Sequence, residues 1–230
     1  MEPRDIEDCP TIGRLETAVT DTLRALGAAK AACAFTWRDR AYPLYPFEAA
    51  SVAAAVTSRR AEFSAGRHAA RRALELLGAP AAEIPMGALG EPVWPSGFGG
   101  SICHDGRFAG ALAHMPDETA QSLSLDLIDR SDLAPYAAAM EHLRAPGEPD
   151  RTGGSEREAA RVFGAKEAAV KIASPALNRL IDPTRIEAIA STNGFAVRIL
   201  GSALLVDVRI VEIDRAIVAI GLRRPDRRVG

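Results

Sequence analysis

No run of 18 consecutive apolar residues occurs in this 230-residue chain, which argues against a helix that crosses a membrane. The first ten residues, MEPRDIEDCP, are acidic where a secretory signal is basic and then apolar, so a cytoplasmic location is expected. Cysteine is scarce. Cys9, Cys33 and Cys103 are odd in number, widely spaced and without a CxxC pair, which argues against both a disulfide framework and a structural zinc site and suggests free thiols. Charge of one sign is lacking too: a net charge of −2 has none of the positive excess of a general nucleic-acid binder, so an anionic ligand must be held by local charge. No internal repeat is visible. What remains, 47% hydrophobic and 25% charged, is an ordinary globular composition, long enough for one large domain or two small ones.

Lysine is nearly absent among the 28 basic residues, and its placement is uneven: of Lys30, Lys166 and Lys171, two flank one glutamate in the run SEREAARVFGAKEAAVKIAS, residues 155–174. Ser155 followed by Glu158 is a capping-box start, and Ser174 before Pro175 is a stop, so the run reads as one helix. At about 100° per residue, Val162, Ala165, Ala169 and Ile172 share one side, while Ala160, Gly164, Glu167 and Lys171 share the other. Glu167 and Lys171 one turn apart read either as a surface ion pair worth roughly 0.2–0.5 kcal/mol or as a functional pair. A compact ammonium suits point-charge contact with a phosphate, or proton movement, better than an arginine fork does.

Elsewhere the pattern predicts a helix over Thr11–Lys30 ending at Gly27, a strand over Ala31–Arg38, and a loop over Tyr42–Pro46. Pro46 to Gly78 reads as helical, with Phe63, Gly66, Ala70, Ala73, Leu74 and Leu77 on a face that packs on a sheet and Gly78 as the stop. Arg60, Arg67 and Arg71 line one flank of it and Arg59 sits near its start, as a solvated basic face or an anion site. The GFGGS stretch near the end of the loop at 92–100 is not a nucleotide fingerprint. No strand precedes it, and residues 101–113 beyond it read as a hairpin closed by a type I′ turn at Asp105-Gly106, not as a helix opening on phosphate; its glycines permit close backbone approach. Gln121–Ile128 alternates, Leu123, Leu125 and Leu127 against Ser124, Asp126 and Ile128, placing Asp126 on the polar face. Leu143–Ser155 is a Pro/Gly-rich mobile loop suited to partner contacts. Hairpin turns come next at Asn193-Gly194 and Asp214-Arg215, and Arg223–Gly230 reads as a frayed basic tail. The class is α+β, the second half repeating the order of the first: helix, then antiparallel hairpin strands.

Phe163, Gly164, Lys166, Glu167, Ala168 and Lys171 resemble the F/W-x-x-K-E-A-x-x-K signature of 4′-phosphopantetheinyl transferases of the Sfp (EntD) type. Three further stretches, Arg59–Leu74, Glu91–His104 and Ser124–Ile128, resemble that family's other blocks in the family's order. The resemblance implies two similar α/β halves, 1–122 and 123–230, about a pseudo-twofold axis with the active site between them. It implies transfer of the 4′-phosphopantetheine arm of coenzyme A to a serine of an apo acyl or peptidyl carrier protein, in natural-product, siderophore or related biosynthesis. Mg²⁺ is the implied cofactor and a monomer the implied state, with no nucleic-acid or membrane partner. By residue, it implies Asp126 and Glu167 as metal ligands, Glu167 and Lys171 as catalytic, and Arg59, Arg67, Cys103, His104, Lys166 and Lys171 as coenzyme contacts. The chain departs from the pattern at Ile128, where the second acid of the Asp126 block belongs, at Cys103 in place of a hydroxyl, and at Met86 and Leu89 in place of lysines. Those departures define the alternative: a member that binds coenzyme A or a carrier protein without transfer.

Overall fold

A computed structural model describes residues 4–150 and 153–225, with side chains from Thr11 onward. Five α-helices and eight strands run in the order α1 (Arg4–Ala25), β1 (Ala31–Trp37), α2 (Pro46–Ser51), α3 (Thr57–Leu76), β2 (Gly99–Asp105), β3 (Phe108–His114), β4 (Ser122–Asp129), α4 (Ala134–Leu143), α5 (Glu156–Leu177), β5 (Ile186–Ser191), β6 (Gly194–Ile199), β7 (Leu205–Ile213) and β8 (Ala216–Arg223). The strands form two antiparallel sheets, ordered β1-β3-β2 and β4-β8-β7-β6-β5, so the chain is a mixed α and β structure. None of the described helices is long and apolar enough to cross a membrane.

Helix α1 buries Leu15, Val19 and Leu23, the stripe that its spacing forecasts, and its chain reverses at Gly27, whose φ of 79° only glycine adopts without strain. That stripe packs on both sheets at once: Phe35 and Leu112 of the first and Leu123, Leu125, Val218 and Ile220 of the second belong to its cluster. Helix α3 covers the other face of the first sheet through small residues, Ala69, Ala70 and Ala73 against Ala34, Ala111 and Ala113. Gly66 permits the approach, since a Cβ there would stand 2.7 Å from Ile102 Cγ2. Helix α5 covers the second sheet with Ala165, Ala169 and Ile172 against Phe195, Val197 and Val206.

Between the sheets, β2 lies beside β4 and supplies side chains to its backbone. Leu125 N donates to Ser101 Oγ at 2.6 Å, and Asp129 N donates to Asp105 Oδ2 at 2.5 Å. The edge of β4 is thereby satisfied without a shared ladder. His104 and Asp126 come from these two neighbouring strands.

Several elements differ from expectation. The helical stretch from Pro46 is interrupted between Ser51 and Thr57, where extended Val56 caps α3 and Glu48 of α2 turns inward to Arg71. The two-residue loops of the first two hairpins are Gly106-Arg107 and Thr192-Asn193, each one residue off the expected pair, because Asp105 pairs with Phe108 and Ser191 with Gly194. The turn at Asp214-Arg215 is as expected, with Asp214 at φ 50°. Helix α5 begins at the Ser155 cap but runs through Pro175 to Leu177, and stops at Asn178 in the left-handed region. A proline in the last turn removes one ladder bond without ending the helix. Helix α4 was unforeseen, and the segment after it is anchored by Glu148, whose carboxylate accepts from the buried Lys166 ammonium and from Ala188 N. Of the expected C-terminal tail, residues 226–230 lie outside the described residues.

Candidate active site

One half of the site is the seam of β4 and α5. Both faces of β4 are buried. Leu123, Leu125 and Leu127 enter the α1 core, while Ser124, Asp126 and Ile128 face α5, so the face read as polar is polar but covered. Gly164 makes room for it: a Cβ at that position would lie 3.1 Å from Ile128 Cδ1 and 3.8 Å from Asp126 Oδ2. Asp126, 9% exposed, accepts from Lys171 Nζ at 2.7 Å, and the same ammonium donates to Leu125 O at 3.0 Å. The surface pairing of Glu167 with Lys171 is therefore replaced by a lysine that reaches across to the strand.

Burial pushes Asp126 above the usual carboxylate range in spite of Lys171. Burial would lower Lys171, but Asp126, Cys103 and Glu167 together outweigh it and hold the ammonium charged. Glu167 is half-buried and is also raised, first by burial and then by the charge of Asp126; no hydrogen bond contributes to its environment. Two adjacent carboxylates, one with no donor, suit a hard divalent cation that keeps several waters. Ile128, 1% exposed, fills the third position with apolar atoms among Ala160 and Ile217. Among the described residues no three acidic, histidine or cysteine side chains converge as a metal-binding group.

The other half of the site is the β2 face under α3. His104 Nε2 lies 3.1 Å from Glu62 Oε1, Arg59 Nη1 donates to the same carboxylate, and Arg38 Nη1 is 3.9 Å from its other oxygen. His104 is held below its usual value by burial, with Lys171, Arg59 and Arg38 adding to that and Glu62 opposing it. Arg67 is 5% exposed, donates through Nε to Ile84 O at 2.6 Å and stacks over Phe63; burial pushes it down to about 10. Arg71 pairs with buried Glu48, so of the expected basic face Arg59 and Arg60 are exposed while Arg67 and Arg71 turn inward.

Three cavities run through this seam. One of about 120 Å³ is bordered by Arg59, Arg67, Met86 and His104. It shares Gly90, Pro92 and Ile102 with a second of about 270 Å³, walled by Leu89, Val170, Lys171 and Leu180. That one shares Gly100, Lys171 and Pro175 with a third of about 330 Å³ beside His114 and Arg223. Gly100 lets β2 lie close against β3 here, since a Cβ there would meet Leu112 O at 2.0 Å.

The structure thus brings Arg59, Arg67 and His104 together in one pocket, and Asp126, Glu167 and Lys171 together beside it. Two expected contacts fall elsewhere. Cys103 alternates to the opposite face from His104, is 2% exposed in the α1 core, donates to Gly110 O at 3.6 Å, and is pushed up to about 12 by burial, so its thiol is turned away from the pocket. Lys166 points away from Asp126: it is 2% exposed and donates to Leu143 O at 2.7 Å and Glu148 Oε2 at 2.5 Å. Sequence reasoning passed over Glu62, whose signal was its place three residues after Arg59, and Glu148, in a loop with no periodicity. It also missed Tyr136, which donates to Asp105 beside the seam.

The chain has relatives in sequence. Residues 47–114 match the family model of the 4′-phosphopantetheinyl transferase N-terminal domain, which bears out the resemblance over the Arg59–Leu74 and Glu91–His104 blocks. Among individual proteins, the chain is 43% identical over 81 residues to 4′-phosphopantetheinyl transferase PptT of Mycobacterium tuberculosis (strain ATCC 25618 / H37Rv), over 35% of this chain and 35% of that protein. It is 45% identical over 71 residues to 4′-phosphopantetheinyl transferase Npt of Nocardia iowensis, over 30% and 32% respectively. With 4′-phosphopantetheinyl transferase Svp of Streptomyces mobaraensis it shares 40% identity over 100 residues, over 44% and 40%. Each match spans less than half of the relative's length.

Proposed function

We propose that the protein transfers the 4′-phosphopantetheine arm of coenzyme A to a serine of an apo acyl or peptidyl carrier protein. The observation that carries this reading is the adjacency of a cavity bordered by Arg59, Glu62, Arg67 and His104 to a second one that Lys171 lines, with Lys171 paired to Asp126 and close to Glu167. Planar arginine forks suit a terminal phosphate. Lys171, held charged by Asp126, faces the second cavity and is placed to meet a pyrophosphate lying along it. The two halves, 1–122 and 123–230, are then pseudo-twofold relatives, each with a long helix, α3 or α5, packed on an antiparallel sheet.

In this mechanism the serine oxygen attacks the phosphorus that carries the pantetheine arm. The bond from that phosphorus to the bridging oxygen breaks, and adenosine 3′,5′-bisphosphate leaves with the electron pair. Glu167, whose basicity is raised by burial and by the charge of Asp126, takes the serine proton as its carboxylate. Lys171 offsets the charge that builds on the transferring phosphate. Asp126 and Glu167 are the residues that would hold magnesium, which when bound neutralises pyrophosphate charge. A second reading, binding without transfer, is favoured by one observation: the buried Ile128 side chain leaves two carboxylates where the resemblance implies three acids. Incubation with coenzyme A, Mg²⁺ and apo carrier proteins separates the two readings, because only transfer consumes coenzyme in proportion to carrier.

A further inference from the structure

The pocket of Arg59, Arg67 and His104 contains an acid of its own. Glu62 has a side chain only 17% exposed, and its carboxylate is bound by Arg59 and His104 with Arg38 close by. A carboxylate held by the Arg59 guanidinium and the His104 ring, with Arg38 close by, is in the position of a bound anion. We propose that Glu62 is a specificity-determining residue: in the empty pocket it occupies the place among Arg59, His104 and Arg38 that a coenzyme's 3′-phosphate takes on binding, and so limits how strongly that phosphate is selected. The proposal rests on the coenzyme A reading.

Apart from Arg67, the surroundings offer the phosphate no substitute cation. Arg67 is already held by its Nε–H bond to the Ile84 carbonyl and by the Phe63 ring, so it meets the phosphate without being drawn from Glu62. Met86, which borders the same pocket, brings no charge, and Leu89 walls the neighbouring cavity. The 3′-phosphate must therefore draw Arg59 and His104 away from Glu62, exchanging one set of charge-assisted hydrogen bonds for another, and the net gain is small. Replacing the carboxylate by an amide of the same shape removes the competitor and one negative charge while leaving every cation in place.

The test is calorimetric titration of coenzyme A and dephospho-coenzyme A into wild type, Glu62→Gln and Glu75→Gln. The last makes the same charge change on the exposed surface of α3 about four turns away. The Kd ratio of dephospho-coenzyme A to coenzyme A is expected to rise about tenfold in Glu62→Gln, chiefly through tighter coenzyme A, and to stay at the wild-type value in Glu75→Gln. Glu62→Asp, too short to reach both partners, is expected to give an intermediate rise, and remains available should the amide variant fail to fold. A ratio unchanged or lowered in both Glu62 variants, with wild type binding coenzyme A, overturns the proposal alone. A wild type that binds neither coenzyme overturns the coenzyme reading and the proposal with it.

Discussion

Replacing Ile128 by glutamate restores the acid that the resemblance implies, and the structure sets its cost. Ile128 is 1% exposed and packs against Gly164, Ala160 and Ile217. Losing its buried apolar surface costs about 2 kcal/mol. The new carboxylate stands two residues along the strand from Asp126, about 7 Å away, where repulsion at an effective dielectric of ~20 adds about 2 kcal/mol. For a chain of this size that sum lowers the melting temperature by about 10 °C in EDTA. A cation bound between the two acids cancels the repulsion and gains a ligand, so saturating Mg²⁺ recovers much of the drop, and the Mg²⁺ concentration for half-maximal transfer falls. Differential scanning calorimetry with and without Mg²⁺, beside a metal titration of the rate, measures both effects. An equal loss of stability in EDTA and Mg²⁺, with an unchanged metal midpoint, would show that this face of β4 does not border the metal.

Glu167→Ala is expected to lower kcat by ~10³-fold or more while melting as wild type does, since alanine suits the helix; transfer within tenfold of wild type at saturating Mg²⁺ would contradict its role. Arg59→Ala, at a half-exposed position, raises KM for coenzyme A and leaves kcat and stability nearly unchanged, whereas Arg67→Ala also destabilises by about 2 kcal/mol because the buried Ile84 carbonyl loses its donor. Equal KM values for coenzyme A in Arg59→Ala and wild type would remove that arginine from the site. Lys166→Met leaves Glu148 buried without its ammonium and is expected to cost about 3–5 kcal/mol in urea denaturation; a loss under about 1 kcal/mol would mean that the pair is not buried in solution.

How far the sequence reveals this arrangement depends on whether local chemistry decides the outcome. The α1 stripe, the α5 cap at Ser155 and the Asp214-Arg215 turn follow from spacing and single-residue preferences, and each is found as read. Strand alternation and helical phase set Asp126, and Glu167 with Lys171, on faces that the fold then brings together. The partner of Lys171 was not, since the choice between Glu167 one turn away and Asp126 on β4 is made by packing of α5 on the second sheet. Lys166 shows the same limit more sharply: its ammonium is taken by Glu148, from a loop whose path no periodicity describes. At Cys103 the reading failed for a simpler reason. Alternation along β2 already sets it opposite His104, and the motif position outweighed that geometry.

The most direct test of the central claim is the mass of an apo carrier protein after incubation with the protein, coenzyme A and Mg²⁺, with Glu167→Ala run alongside. The account predicts a gain of one phosphopantetheine arm on the serine in the wild-type reaction, matched by release of adenosine 3′,5′-bisphosphate, and no gain with the variant. A wild type that binds coenzyme A yet leaves every acyl and peptidyl carrier unmodified across the full range of Mg²⁺ and Mn²⁺ would contradict it.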